Sequence, residues 1–488
     1  MARASIFTFL VASAALASQP KPAALEADFS RHLQEWDGFG VNYVEVPQTR
    51  DYKTNPQEYG GMSALSEDKR RQLLELFWGD DGLRPGVVKM FADVWMEPVN
   101  DNTDPEVIDA SRFDHETTTK WMRMFVREGV KRTRARGGGL KIITTLYGPP
   151  AWATRQKFVR GRDLDPAMKK EVAEYLIAWV KFLREKEGFP VSAISLHNEG
   201  EDFSRWPVDG MTAGHPTHDY NLYWPPSQVV DFLSFMRPMM DRMGLKEVAL
   251  ANGEPTNWYR FWQWGHAPEI ARSPEALKGL GLITSHGFAG GTNQWYGDHS
   301  SNGVDLLRLA KPGLHAWTTS MTWGKMNMAF LDDIRQQIYS VKVNAVIPWA
   351  AVQTSNWVGG DPNPGTAVRV IEDCGCFQVL PGYWNYKQVS RAGQPGMRVA
   401  AVRSDDPGLR IMAFASNGTK HPDSFVVINT TWEQKTARIA VAGTRAASFK
   451  AFRSSLSEKY APAGDHAVSS GAIEYRVPPN SATTFFAN

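Results

Sequence analysis

The sequence predicts a (β/α)8 TIM barrel with an attached small antiparallel β-sandwich domain. Helical segments alternate with short apolar strands about eight times between residues 36 and 390, which is typical of a parallel sheet closed into a barrel. After about Pro395, short alternating segments are separated by Gly, Pro, Asn and Asp, as in antiparallel strands. The alternative is an open, doubly wound sheet, which is less favoured because no glycine-rich phosphate loop follows the first strand.

The N-terminal residues 1–17 have the pattern of a secretory signal peptide. Arg3 precedes an apolar run at residues 6–17, which ends in the small-residue pattern Ala15-Leu16-Ala17. This run is too short to span a bilayer and is followed by a typical cleavage position. We therefore expect a secreted or periplasmic protein that is not anchored in a membrane.

The barrel elements follow from apolar periodicity. Ser66 caps an amphipathic helix that carries Leu73, Leu74 and Phe77 on one face. We predict helices at residues 66–77, 121–130, 166–183, 227–243 and 330–341, and strands at 36–40, 86–90, 140–146, 194–196, 247–251, 280–285, 315–319 and 345–349.

A second domain is predicted at residues 396–488. Its expected strands include residues 398–403, 409–415, 424–428, 437–441 and 482–486. The strand-like residues 25–35 are expected to join this domain, which would make the two domains one rigid body.

Composition excludes several classes of function. The chain has 54 Lys and Arg residues against 52 Asp and Glu, so its formal charge of +2 provides no electrostatic basis for binding nucleic acid or an anionic membrane.

Cys374 and Cys376 flank a single glycine, and we expect neither a disulfide bond nor a zinc site there. No metal or other cofactor is predicted. The 18 tryptophans would suit stacking on sugar rings where they are exposed.

The strongest candidate for chemistry is Glu199, which follows Asn198 at the end of the fourth predicted barrel strand. Barrels place their active sites at this end of the strands. Glycoside hydrolysis needs two carboxylic acids, one that protonates the leaving oxygen and one that attacks the anomeric carbon or activates water. Glu199 suits the acid, with Asn198 beside it to bind a sugar hydroxyl. Glu201 and Asp202 are interpreted as solvated loop charges.

The order of several short motifs resembles glycoside hydrolase family 30, the glucocerebrosidase-like branch of the retaining barrels, over most of the chain. The motifs are Gly38-Phe39-Gly40, Pro149-Pro150-Ala151-Trp152, Asn198-Glu199, Trp317-Thr318-Thr319-Ser320, Trp349, Gln388-Val389-Ser390-Arg391 and Pro395-Gly396. The resemblance implies a barrel with a β-sandwich and Glu199 as general acid/base. We assign to substrate binding Lys89, Asp93, Tyr147, Trp152, Asn198, Glu254, His286, Trp323 and Trp349.

The resemblance fails at the nucleophile. Family members carry a Glu at the end of the seventh strand, whereas this chain has Ser320, and no Asp or Glu occurs between Asp305 and Asp332. Ser320 is either an engineered replacement, a natural residue in an inverting reaction that uses another carboxylate such as Glu254, or the mark of a barrel that binds without catalysis. A direct serine nucleophile would need a base, and only Glu199 or His286 is placed to help. Lys89 also differs from the family pattern, because relatives usually carry Arg at this position.

Two long loops, at residues 206–226 and 287–305, are rich in Gly, His, Trp and Asn and favour an extended cleft. Trp295, Tyr296, Trp323 and Trp357 lie in loops where they could form stacking subsites. The sequence thus predicts a secreted glycosidase that acts on β-linked polysaccharide or oligosaccharide, with endo action. The alternative is a non-catalytic carbohydrate-binding protein on the same barrel.

Overall fold

The computed structural model describes residues 21–45, 60–159, 161–203, 222–289, 299–355 and 365–488. The described chain enters through β1 (Ala23–Glu35) and then forms a closed barrel of eight parallel strands, which confirms the predicted fold class. The barrel strands are β2 (Gly38–Asn42), β3 (Val87–Ala92), β4 (Lys141–Leu146), β5 (Val191–Ser195), β6 (Ala249–Ala251), β7 (Leu280–Ser285), β8 (Ala316–Thr322) and β9 (Ala345–Trp349). The residues assigned to the signal peptide, and Trp295, Tyr296 and Trp357, lie outside the described residues.

Helices follow the barrel strands and cover the outside of the barrel. Ser66 caps the first of them, since its Oγ accepts a hydrogen bond from the amide of Lys69 at 3.3 Å. The helices are α1 (Glu67–Trp78), α2 (Lys120–Ala135), α3 (Lys169–Glu185), α4 (Pro226–Arg242), α5 (Trp258–Gln263), α6 (His266–Arg272), α7 (Pro274–Gly279), α8 (Asn302–Ala310), α9 (Met328–Gln336) and α10 (Pro381–Ala392). No helix within the described part of the chain combines the length and apolar character that crossing a membrane requires.

A second sheet of nine strands, here called the β-domain, lies beside the barrel. Its order is β18-β17-β20-β15-β14-β13-β1-β16-β19, and every pair is antiparallel except β1 with β16. The sheet curls until β18 contacts β19, and its inner face encloses a separate core that includes Phe425, Phe449 and Phe485. The remaining strands are β13 (Arg398–Ser404), β14 (Leu409–Ala415), β15 (Ser424–Asn429), β16 (Lys435–Ala442), β17 (Ser448–Ser454), β18 (Ala461–Ala467), β19 (Ala472–Val477) and β20 (Ser481–Ala487).

The amino-terminal end of the barrel is closed by Asp37. Its carboxylate accepts hydrogen bonds from Lys141 at 2.5 Å, from His315 Nδ1 at 2.7 Å and from Trp317 Nε1 at 2.7 Å. Burial alone would raise the pKa of Asp37, but the His315 hydrogen bond and the Lys141 charge hold it below its usual value. The motif around Gly38 is therefore explained by stability, because this end of a barrel lies opposite the active-site end.

Helix α10 joins the barrel to the β-domain. The hydroxyl of Tyr386 donates to the carbonyl of Gly40 at 2.6 Å, and Ser390 donates to Leu83 at 3.1 Å. On the other side, Gln388 Oε1 accepts from the amide of Thr484 at 3.1 Å. The motif that contains Gln388 and Ser390 thus fixes the two layers together, at a distance from the chemistry.

The expectation for the cysteines was wrong, because Cys374 and Cys376 form a disulfide bond. A 3-10 turn at Glu372–Cys374 is followed by Gly375 in a left-handed conformation (φ 55°), which folds the chain back on itself. The two Cα atoms are thereby 5.2 Å apart, within the normal range for a disulfide. The bond lies in a three-stranded sheet formed by β10 (Val352–Thr354), β11 (Val368–Ile371) and β12 (Cys376–Val379).

Candidate active site

Polar side chains gather at the carboxyl ends of the barrel strands. Glu199 follows β5, Glu254 follows β6, His286 follows β7 directly, and Ser320 lies within β8. Because all barrel strands are parallel, their carboxyl ends meet at one rim, and these four side chains lie within one hydrogen-bond network with Lys89 of β3.

Glu199 is held in an uncommon backbone conformation. Its φ is 45°, in the left-handed region that a residue with a side chain seldom adopts. The amide of Glu199 donates to the carbonyl of Glu254 at 2.9 Å, and the amide of Glu254 donates to His197 at 2.8 Å, so the pairing of β5 with β6 extends past the strand ends. This frame turns the carboxyl group of Glu199 into the cavity described below.

His286 bridges two carboxylates. Its Nδ1 lies 2.8 Å from Glu199 Oε1 and its Nε2 lies 3.0 Å from Glu254 Oε2. Burial on its own lowers the pKa of this imidazole, but the hydrogen bonds that its N–H groups donate to both carboxylates outweigh burial and raise the pKa above its ordinary value of 6.5. His286 is thus an imidazolium over a wider pH range than a free histidine, and it fixes the orientation of Glu199.

Glu254 is fully buried and is charged at neutral pH. It forms an ion pair with Lys89, accepts the Thr145 hydroxyl and lies 3.0 Å from His286. Burial would raise its pKa, but the Lys89 charge and the His286 hydrogen bond lower the pKa to about 2. With 0% of its surface exposed, Glu254 has no face towards the cavity and serves to hold its neighbours.

Ser320 occupies the seventh-strand position at which a partner carboxylate was expected. The pairing of β8 with β9 is irregular between Thr318 and Met321, and this irregularity turns Ser320 inward. Its Oγ accepts hydrogen bonds from Lys89 Nζ at 3.0 Å and from Asn42 Nδ2 at 3.3 Å. Within the described residues, neither a carboxylate nor an imidazole contacts this hydroxyl, so the site contains no base to activate it.

A cavity of about 1140 Å³ opens above these residues. Glu199 and Ser320 share its wall, and the only other carboxylate among the described wall residues is Glu458, which is paired with Arg453 at 2.5 Å. The wall combines aromatic rings of the barrel with loops of the β-domain; Phe288, Phe330, Trp349, Trp384, Leu456 and Lys459 are examples.

The structure separates the predicted substrate-binding residues into two groups. Tyr147, Asn198, His286, Trp323 and Trp349 lie in the cavity wall, although Trp323 is fully buried against Tyr386.

The second group does not line the cavity. Lys89 and Glu254 are buried beneath Ser320 and His286. Trp152 donates its indole N–H to the carbonyl of Glu97 at 2.9 Å, and the carbonyl of Asp93 accepts the Tyr175 hydroxyl. Trp152 and Asp93 therefore contact neighbouring parts of the barrel and do not face the cavity.

Two residues near the site were interpreted wrongly. Glu201 and Asp202 are buried, and both contact the guanidinium of Arg260, at 3.1 and 3.2 Å. They are not solvated, because helix α5 places Arg260 under the loop that follows Glu199. Asn42 was not predicted as a site residue, although its position at the end of β2, the first barrel strand, was the available signal.

No protein-family model and no curated protein matches this sequence. Solved structures match its fold. A GH30 endoxylanase from Clostridium papyrosolvens C71 has a TM-score of 0.66 at 17% identity, with 95% of this chain and 100% of that chain covered. The catalytic domain of GH30 xylanase C from Talaromyces cellulolyticus has a TM-score of 0.71 at 16% identity, with 95% and 100% covered. An endo-β1,6-glucanase has a TM-score of 0.67 at 17% identity, with 95% and 94% covered. This likeness establishes a shared architecture.

Proposed function

We propose that this protein is a glycoside hydrolase of the family 30 type that cleaves β-linked polysaccharide, with Glu199 as general acid/base. The observation that carries the proposal is the placement of the Glu199 carboxyl group in the cavity wall, 2.8 Å from His286. The architecture shared with proteins named as xylanases and an endo-glucanase supports the substrate class.

In the proposed reaction, the protonated form of Glu199 donates its proton to the glycosidic oxygen as the bond to the anomeric carbon breaks, and Glu199 takes up a proton from solvent before the next cycle. The resulting carboxylate is stabilised by the imidazolium of His286, which Glu254 anchors from the other side. Asn198 lies in the same wall, where its amide can bind a sugar hydroxyl.

The step that adds water to the anomeric carbon lacks a catalytic carboxylate in this chain. A carboxylate at the Ser320 position would form a covalent intermediate. With a hydroxyl there, a water molecule must add to the anomeric carbon and lose its proton to solvent without help from a base. Glu254 is an unsuitable base, since it is fully buried and its pKa is about 2. We therefore propose slow hydrolysis by this chain.

The size of the cavity supports action within chains. Its volume of about 1140 Å³ exceeds the usual range for a pocket that binds one small molecule. Trp349 and Trp384 lie in the wall at separate places and can each stack on a sugar ring. We propose that several consecutive sugar units occupy this cleft, as endo action requires.

One observation favours a second candidate, a carbohydrate-binding protein without catalysis. Ser320 is bound by Lys89 and Asn42, both donors, so the position where a nucleophile would act is hydrogen-bonded and uncharged. Such a wall can still bind sugar hydroxyls.

A substrate panel separates the two candidates. Purified protein would be incubated with β-glucans, galactans and xylans, and released oligosaccharides would be measured by mass spectrometry alongside binding by affinity electrophoresis. We expect slow release from at least one polymer that also binds. Binding with no product at high protein concentration would overturn the hydrolase proposal and support the binding protein.

We also propose that the protein is exported and that residues 1–17 are removed. N-terminal sequencing of protein secreted by its native host, or by a secreting expression host, would test this. A mature chain that begins just after Ala17 is expected, and an intact Met1 on exported protein would contradict cleavage.

A further inference from the structure

Four acidic side chains meet between the loop that follows β3 and the start of helix α3. Glu97 and Asp101 come from the loop, and Glu171 and Glu174 come from one face of α3. Asp101, Glu171 and Glu174 each place one carboxylate oxygen within 4.8 Å of the other two. None of these four carboxylates belongs to the network around Glu199.

The helix carboxylates have no cationic partner within the described chain. Glu171 and Glu174 hydrogen-bond to each other, and Glu171 also hydrogen-bonds to Asn100, but one oxygen of each carboxyl group is left over. Glu171 Oε2 and Glu174 Oε1 are buried without a hydrogen-bond partner, and their residues are only 5% and 1% exposed. Among the described residues, no Lys, Arg or His forms an ion pair with any of the four carboxylates of this cluster. A buried carboxylate is costly unless it is paired or coordinates a metal, so this arrangement calls for a positive ligand.

The loop carboxylate is fixed in place. Asp101 Oδ1 accepts the amide of Asn102 at 2.7 Å, and its Oδ2 accepts the amide of Asp109 at 2.7 Å. The amide of Asp101 in turn donates to Glu97 Oε1 at 2.7 Å. These bonds hold Asp101 close to Glu171 and Glu174 of α3 in the absence of a ligand.

We propose that Asp101, Glu171 and Glu174 bind a divalent cation of the Ca²⁺ type. The donors are all oxygen, which suits a hard cation and does not suit zinc, for which thiolate or imidazole ligands are preferred. Oxygens on opposite sides of a bound Ca²⁺ are at most about 5 Å apart, which the observed spacing satisfies. Asp101 is partly exposed, so ions can enter and water can complete the coordination shell.

The cation would fasten the loop to helix α3. The same loop supplies the Glu97 carbonyl that accepts the Trp152 indole and the Asp93 carbonyl that accepts the Tyr175 hydroxyl. The loop therefore holds Trp152 and Tyr175 in place, and this role does not depend on which sugar the protein binds.

Protons are the competing occupants of the cluster. Burial, together with the charges of Asp101 and Glu171, raises the pKa of Glu174 to about 9. A cluster that only shares protons would show no dependence on metal.

The test uses the full chain after EDTA treatment, titrated with CaCl2 alone and, in a second arm, MgCl2 alone. Calorimetry should give one Ca²⁺ per chain, and Tm should rise by at least about 2 °C at saturation. E174Q and E171Q should each weaken Ca²⁺ binding by about tenfold or more. E185Q, which alters an exposed carboxylate of the same helix, is the matched control and should bind as the wild type does.

A second readout separates a metal ligand from a merely structural residue. In EDTA at about pH 9.5, above the raised pKa of Glu174, E174Q should have a higher Tm than the wild type because the substitution removes repulsion among carboxylates, and with Ca²⁺ this order should reverse or disappear. Absence of heat and of a Tm change at about 10 mM CaCl2, a concentration above the weakest protein sites, would overturn the proposal. Unchanged Ca²⁺ affinity in both E174Q and E171Q would overturn it as well.

Discussion

His286 connects two carboxylates that have different positions in the site, with Glu199 Oε1 at 2.8 Å from its Nδ1 and Glu254 Oε2 at 3.0 Å from its Nε2. Glu199 lies in the cavity wall, whereas Glu254 is fully buried against Lys89. The charge buried at Glu254 therefore fixes the imidazolium that orients Glu199.

Replacing the proposed acid should stop turnover while leaving sugar binding intact. E199Q keeps the shape of the side chain but has no proton to give, so oligosaccharide release should fall about 100-fold or more. The matched control is E458Q, which removes the other described carboxylate of the wall and should retain activity. Release and affinity would be measured on the same polysaccharide. Loss of activity in E458Q with retention in E199Q would place the acid elsewhere.

The pH dependence of stability should report His286. Its pKa in the folded protein is raised above 6.5, so its protonated form stabilises the fold. That contribution is fully present below pH 6.5 and is lost as the pH rises through the folded pKa. The difference in Tm between the wild type and H286Q should therefore shrink as the pH increases from about 5 to 9. A constant difference across this range would contradict the bridging role.

The buried pair of Lys89 and Glu254 should behave as a unit. E254Q leaves the Lys89 charge without its partner and should lower the free energy of unfolding by about 3–5 kcal/mol. K89M/E254Q removes both charges and should lose less than the sum of the two single variants. Denaturant unfolding of all four proteins would measure the coupling, and additive losses would show that the two residues act independently.

Small anions should accelerate turnover, because the Ser320 hydroxyl leaves room where a carboxylate was expected. Azide can attack the anomeric carbon on that side, replacing the unassisted water, and should yield a glycosyl azide of inverted configuration. The product would be identified by NMR. Azide without effect on rate or product would indicate that the Ser320 side is closed to the anomeric carbon.

Much of the barrel could be predicted because each helix and strand carries its own local pattern. The predicted strand at residues 280–285 matches β7, and Ser66 begins α1 as its capping sequence indicates. In the β-domain, β17, β18 and β19 were not among the predicted strands. Pro462, Gly464 and Asp465 make β18 look like a loop, and none of its residues is buried.

Side-chain partners far apart in sequence could not be predicted. Lys89 and Ser320 meet only because the barrel closes, and Arg260 reaches Glu201 and Asp202 only because of helix α5, which was not predicted. Strand ends identify which residues share the rim. The strand ends do not reveal that Glu254 is fully buried and contacts His286.

The most direct test of the central claim is the rate of oligosaccharide release by S320E. If Glu199 is an intact acid/base opposite the seventh-strand position, restoring a carboxylate should raise the rate about 100-fold or more over the wild type. S320Q is the matched control for side-chain size, and S320E/E199Q should lose the gain. A folded S320E protein that binds the polysaccharide but cleaves it no faster than S320Q would contradict the account.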